Sequence, residues 1–401
     1  MKTIPHILFS VLIISISSCM KEEEIVPITS CNNSWDYETH PKQTTYQSIL
    51  EKYTSKGITG INVLIDKKGE EIWAGTAGYA SIENQSSLEL CNIMPIASVG
   101  KLYCGIVTMQ LVEEGILDLD RTIDQYLPMH LIDKIPNSSS ADIANLLSHT
   151  SGIPDYADNP NLMFDFLNDN NLNFSREAIL EEYVYCKKPK FSPGIEYSYS
   201  NSNYEILTII IDHVLGTSHA NRYTNNIFTP LGLSNTYYKN ETDYFDLYSK
   251  GFVSGYFDRH SDGRIENATD LSLTITKGQT GSDGVITSIH ELHTFMKAIF
   301  DASLITNTTL TTMKEYIKAR HNFVTYKYGL GITFRDEEKN FELAKSIGHS
   351  GSLPGYTTES WFFPDSETYV IYTANCGNIL NGPISNLLEE FREELYKEVL
   401  K

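Results

Sequence analysis

The chain has 401 residues, 41% hydrophobic, 20% charged and 11% aromatic, enough for a large core in more than one layer. Its 51 acidic side chains outnumber the 31 basic ones, giving a formal charge of −20, and no run of Lys or Arg is long enough to follow a phosphate backbone. Nucleic acid is therefore not expected as a partner.

At the N-terminus, Lys2 precedes an apolar run from Ile7 to Ile16 that is too short to span a bilayer as a mature helix but has the length of an export signal. It ends in Ile16-Ser17-Ser18-Cys19, which resembles the lipobox where a bacterial lipoprotein signal peptide is cut and the new N-terminal cysteine is acylated. Residues 1–18 are thus predicted to be a lipoprotein signal peptide and Cys19 its lipidation site. This would hold the exported protein to a membrane, in the periplasm or at the cell surface. A plain secretory signal cut nearby is the alternative. Residues 19–45 are polar, with Glu22-Glu23-Glu24, Pro27 and Pro41, and read as a tether. The remaining cysteines, Cys31, Cys91, Cys104, Cys186 and Cys376, are odd in number and lack metal-site spacing. One or two disulfides would suit an oxidising compartment, with the pairing open.

Residues 46–401 read as the folded domain. Tyr46–Tyr53, closed by Gly57, is the first helix candidate, and Ile61–Ile65 and Glu71–Thr76 read as a hairpin across Lys67-Lys68-Gly69. Next comes Pro95-Ile96-Ala97-Ser98-Val99-Gly100-Lys101. If Ser98 opens a helix, Ser98 and Lys101 leave one face about 5–6 Å apart at Cβ, close enough for an amine to activate a hydroxyl. Alone, S-x-x-K is a common pattern, repeated here at Ser18–Lys21. The run from Leu102 to Glu114 is apolar nearly all round and stops at Gly115, so it belongs in the centre of the protein.

From about 118 to 280 the sequence predicts a mainly helical lobe, with helices at Asp142–Leu147, Arg176–Tyr185 and Tyr204–Leu215 and a solvated loop at Asn168-Asp169-Asn170-Asn171. Strand patterns return at Gly329–Phe334, Thr357–Phe363 and Thr368–Ala374. Helical spacing then runs through Ile384, Leu387, Leu388, Phe391, Leu395 and Val399. Strands at both ends imply an α/β (α+β) fold in which an antiparallel sheet, built from both chain ends and flanked by helices, joins a helical lobe across a cleft.

Two further stretches carry suitable chemistry. In Tyr197-Ser198-Tyr199-Ser200-Asn201, a phenol near an ammonium can have its pKa lowered enough to relay protons, while an amide can bond a substrate carbonyl. The alternative reading of Asn201 is a helix N-cap. In Gly348-His349-Ser350-Gly351-Ser352, glycines allow close backbone approach, and an N–H could bond a developing oxyanion.

In order and spacing, Ser98-x-x-Lys101, Tyr199-x-Asn201 and His349-x-Gly351 resemble the three motifs of the serine β-lactamase and penicillin-binding protein superfamily, in the branch of class C β-lactamases, DD-peptidases and esterases. The likeness extends from about Gly57 to Tyr372 and includes Leu146–Pro154, Pro230–Leu233 and Tyr328–Gly331. It implies a β-lactamase/transpeptidase-like fold. Ser98 would be the acylated nucleophile, Lys101 its proton acceptor and Tyr199 the shuttle to the leaving group. Asn201 would hold the substrate amide, with the N–H groups of Ser98 and Ser352 beside Gly351 forming the oxyanion hole. His149 would have a structural role. His349 stands where class C β-lactamases usually have lysine, and it would hold a substrate carboxylate best when protonated.

The resemblance therefore implies a serine hydrolase acting through an acyl-enzyme on a peptide, amide or ester, DD-carboxypeptidase/esterase-like, with neither metal nor cofactor. The alternatives are a class C-like β-lactamase and a weakly catalytic sensor that binds β-lactams or peptidoglycan.

Overall fold

The computed structural model describes residues 39–168, 175–238, 244–276, 278–316, 326–335, 345–377 and 382–401. Cys19, Cys31, the signal segment, most of the tether and Asp169–Asn171 lie outside these residues.

Eight strands form the main sheet. β1 (Gly60–Lys67), β2 (Trp73–Ser81) and β3 (Ser86–Ser87) come early in the chain. β4 (Tyr326–Tyr328), β5 (Thr333–Arg335), β6 (Ser346–Leu353), β7 (Tyr356–Phe363) and β8 (Thr368–Ala374) come late. Their order is β3-β2-β1-β8-β7-β6-β5-β4, with every pairing antiparallel. The two ends of the chain meet where β1 lies against β8, Ile61 opposite Ala374 and Val63 opposite Tyr372.

The helices that matter for the site are α1 (Gln43–Lys56), α2 (Gly100–Glu113), α3 (Ile143–Leu147), α4 (Pro160–Asn168), α5 (Arg176–Tyr183), α6 (Asn201–Leu215), α7 (Thr269–Thr276), α8 (Ile289–Phe300) and α9 (Pro383–Val399). Along β1, alternate side chains serve different layers. Ile61, Val63 and Ile65 join α1 and α9 through Tyr53, Phe391 and Leu395, whereas Leu64 joins the larger core containing α2, α6 and α8. With both faces covered, β1 carries apolar side chains on both, at Ile61, Val63, Leu64 and Ile65, with buried Asn62 as the exception.

Helix α2 is buried at every position from Gly100 to Leu111, which accounts for its uniform apolar pattern. It begins at Gly100, two residues before the predicted start, and Ser98 does not open it. Ser98 lies instead on a single 3-10 turn, Ala97–Val99, that feeds into α2. The strand expected at Gly329–Phe334 is also corrected. Only Thr333–Arg335 is a strand there, and residues 329–332 turn back from β4 to β5 with the Gly329 N–H bonded to the Ile332 carbonyl. Leu330 and Ile332 are apolar because this turn is buried under α2, where a Cβ on Gly331 would lie 3.1 Å from the Cα of Gly105. Asn168, assigned to a loop by its neighbours, ends α4. Cys91 is disulfide-bonded, whereas Cys104, Cys186 and Cys376 are free.

Candidate active site

The nucleophile turn is held from both sides. Met94–Pro95 pairs with Val285–Thr287, and the Ile96 N–H donates to the Val285 carbonyl at 3.2 Å. Ala97 then takes a left-handed conformation, φ +50°, so the chain reverses sharply and Ser98 projects from the turn ahead of α2. One turn further on, Lys101 is fully buried, and its Nζ lies 3.0 Å from Ser98 Oγ.

The other partners of Lys101 decide what that contact can do. Nζ also donates to Asn201 Oδ1 at 2.8 Å and to the Ser282 carbonyl at 3.0 Å. Both of these are acceptors only. A neutral amine would keep two N–H bonds on them and turn its lone pair toward Ser98, the one partner whose hydroxyl can donate. Burial pushes the Lys101 ammonium down to about 8, against the pull of the Asp155, Glu205 and Asp283 carboxyl groups.

Asn201 is the first residue of α6, with Ser200 at the cap, so it is not the N-cap its position suggested. Its amide is fixed at both ends. Oδ1 faces Lys101, and Nδ2 donates to Asp155 Oδ2 at 3.1 Å. Asp155 also accepts from the Asn201 and Ala157 backbone N–H groups, and burial raises its carboxyl to about 6. The residue follows directly on Leu146–Pro154 in the sequence, but an aspartate beside a proline gives no sign of the contact it makes 46 residues away.

Tyr199 lies beside Ser98, close enough for the serine hydroxyl to act on its phenol, with Lys101 Nζ 4.9 Å from its ring centre. Its pKa is raised, mainly by burial, and not lowered as its nearness to an ammonium suggested. Tyr199 is therefore a phenol at neutral pH, and Lys101 is the group poised near neutrality. Fully buried His149 supports this loop, accepting from the Ser200 N–H at Nδ1 (3.1 Å) and packing against the Tyr199 ring at 4.2 Å between centroids.

A second buried carboxylate went unrecognised in the sequence. Glu205 accepts from the Thr280, Gly281 and Ser282 N–H groups and from the Thr280 and Ser282 hydroxyls at 2.6–3.1 Å. This loop presents the Ser282 carbonyl to Lys101. Gly281 is required there, since a Cβ would lie 2.1 Å from the Tyr204 carbonyl oxygen.

Strand β6 closes the site. Leu353 and Tyr356 flank the two-residue turn Pro354-Gly355 and so form a hydrogen-bonded pair. Pairs alternate along an antiparallel ladder, so Ser352, opposite Thr357, directs its N–H away from β7. Strand β5 pairs with β6 only from Ser346 to Gly348, leaving that edge of Ser352 facing the nucleophile turn. Contact there is close: a Cβ on Gly351 would lie 2.3 Å from the Ile96 carbonyl oxygen and 2.9 Å from the Ser98 nitrogen.

His349 is buried, its Nε2 2.8 Å from the Tyr328 hydroxyl and its Nδ1 2.6 Å from the Ser350 carbonyl. A carbonyl only accepts, so Nδ1 carries the proton and Nε2 receives the Tyr328 hydroxyl. Burial, and then the nearby Lys101 charge, pushes its pKa down to about 3. This corrects the expectation of a histidine that gains charge near neutrality. The structure thus gathers Ser98, Lys101, Tyr199, Asn201, Gly351 and Ser352 around one point, with His349 bonded behind the strand.

The Beta-lactamase family profile matches residues 45–380. The chain belongs to the Beta-lactamase family. Within it, a penicillin-binding protein of Bacillus subtilis is 24% identical over 339 residues, 83% of this chain and 71% of that protein. Protein flp of Staphylococcus aureus is 29% identical over 207 residues, which span 51% of this chain but only 40% of flp. The crystal structure of D-amino acid amidase from Ochrobactrum anthropi, complexed with L-phenylalanine amide, superposes with a TM-score of 0.75 at 21% identity, covering 89% of this chain and 97% of the amidase. The Beta-lactamase family match and the shared fold extend over the sheet and the helical lobe alike, so the constellation at Ser98 sits within the region these proteins have in common.

Proposed function

We propose that the protein is a serine hydrolase that acts through an acyl-enzyme on an amide, ester or peptide, DD-carboxypeptidase/esterase-like, from a membrane anchor at Cys19. The observation that carries the reading is the set of three contacts at Lys101 Nζ, two of which can only accept, so that a neutral amine must face the Ser98 hydroxyl. As Ser98 Oγ bonds to the substrate carbonyl carbon, its proton passes to Lys101. The charge gathering on the carbonyl oxygen meets the N–H groups of Ser98 and Ser352. The bond to the leaving group then breaks, and that group takes up the proton through Tyr199. Water enters on the same side, gives its proton back along Tyr199 and Lys101, and frees the acid and Ser98.

The similarity to a penicillin-binding protein and to a D-amino acid amidase supports amide-type substrates. The neutral state of His349 removes the charge that a class C-like β-lactamase reading would assign to a substrate carboxylate. The disulfide at Cys91 supports export, since such bonds persist in oxidising compartments.

The test uses nitrophenyl esters, D-Ala-D-Ala peptides and a chromogenic cephalosporin with the wild type and Ser98→Ala, read by product release and by intact mass with peptide mapping. Ser98 should carry the acyl group transiently, and Ser98→Ala should neither label nor turn over. Label on another serine would overturn the assignment, and label at Ser98 that persists without product would identify a sensor in place of an enzyme.

A further inference from the structure

A cavity of about 200 Å³ opens beside Ser98, with Asn201 and Ser352 also in its wall. Lys101, Tyr199 and His349 are not among its lining residues. In the reaction proposed above, the leaving group must reach Tyr199 for its proton, so the cavity receives the part of the substrate that stays on the enzyme.

Gln279, Ser282, Asp283 and Tyr156 add polar groups to the wall, and its apolar part is built mainly by four aliphatic and aromatic side chains. Leu162 and Phe166 come from α4, Ile275 from α7 and Leu353 from the end of β6, and each is at least nine-tenths buried before any substrate arrives. These side chains are held by the core, so the cavity is preformed and binding need not order it. Its size suits a single compact group. A cavity of roughly 150 Å³ lined by such residues is known to take benzene. The only charged side chain among the described lining residues is Asp283, whose carboxyl group also favours the ammonium form of Lys101. An anionic substituent would therefore enter against a like charge and against hydrocarbon.

We propose that the substrate's acyl portion carries one apolar, non-anionic group, up to about phenyl size, seated between α4 and α7. This rests on the acyl-enzyme reading, and the test is arranged so that the two can fail separately.

The nitrophenyl esters of acetate, isovalerate, phenylacetate and glutarate share a leaving group and differ only in the acyl part, the last bearing a free carboxylate. Each kcat/KM is divided by the ester's spontaneous hydrolysis rate, and Ser98 acylation is followed by mass. Isovalerate and phenylacetate should exceed acetate by about 10- to 100-fold, and glutarate should fall below acetate. Ile275→Trp, which fills the cavity, should bring the phenylacetate-to-acetate ratio back toward one, and Phe166→Ala should lower it by about tenfold. Acylation at Ser98 with equal rates across the series, or with glutarate preferred, overturns the cavity assignment and leaves the mechanism standing. Absence of acylation at Ser98 by every ester overturns both. The wild-type series alone decides the matter if a variant does not fold.

Discussion

At Lys101, one side chain combines complete burial with three hydrogen-bond partners, and this sets the expected response to pH. Below a pH of about 8 the amine is already protonated and cannot accept the Ser98 proton, so kcat/KM for a neutral ester should rise roughly tenfold per pH unit up to about 8 and then level off. Below about 6, where Asp155 gains a proton and its grip on the Asn201 amide weakens, the fall should steepen. His349 adds nothing in this range, because a histidine held near 3 is already neutral above pH 5. The ratio of kcat/KM for a carboxylate-bearing ester to that for a neutral one should therefore stay flat between pH 5 and 8. A ratio that falls between pH 6 and 7 would restore the charged histidine. The grouping of Ser98, Lys101, Tyr199 and Asn201 into one site was legible in the sequence through the resemblance of their motifs to those of a known family. Asp155 and Glu205 were not, because a carboxylate's burial depends on contacts 46 and 75 residues away.

Among the elements, β6 does the most and was the least visible. Gly348, Gly351 and Gly355, with three serines among their neighbours, erase the alternating pattern that marks a strand. The cause of the concealment is also its use, since only glycine at 351 lets the strand lie against Ile96. Gly351→Ala should therefore force β6 and the nucleophile turn apart and displace one oxyanion donor, lowering kcat by about 10²–10³ with a smaller change in KM. Circular dichroism and a thermal melt would establish that the variant is folded, and unchanged kcat in a folded variant would count against the Ser352 N–H. Helix α4 was hidden differently. Leu162 and Phe166 have helical spacing, but the Asn- and Asp-rich run that follows reads as loop. Helix α4, which gives Leu162 and Phe166 to the acyl cavity, thus had no sequence forecast, and neither did α7 or α8.

For the whole molecule, co-folding of the chain ends could be read directly, since strand patterns near both termini have to satisfy their edges somewhere. The sheet lies between α1 and α9 on one face and the larger core on the other, and Ser98 sits on the larger-core side. Among the described residues, no helix is long and apolar enough to cross a membrane. The anchor proposed above, Cys19, lies ahead of α1 in the sequence. Cys19→Ala should move the protein from the membrane fraction to the soluble fraction with its esterase activity retained, as measured by fractionation and assay. Continued sedimentation with membranes would point to a different anchor.

The backbone at Ala97 has a consequence for laboratory evolution. A non-glycine residue in the left-handed region costs about 1–3 kcal/mol, and here it is spent on the residue immediately before the nucleophile. Ala97→Gly would release that cost and loosen the turn that aims Ser98 at Lys101. A library screened for heat resistance alone should enrich Ala97→Gly, and the enriched clones should lose turnover as they gain melting temperature. Selection for turnover should keep alanine and seek its stability elsewhere, for example in the layer of α1 and α9 behind the sheet.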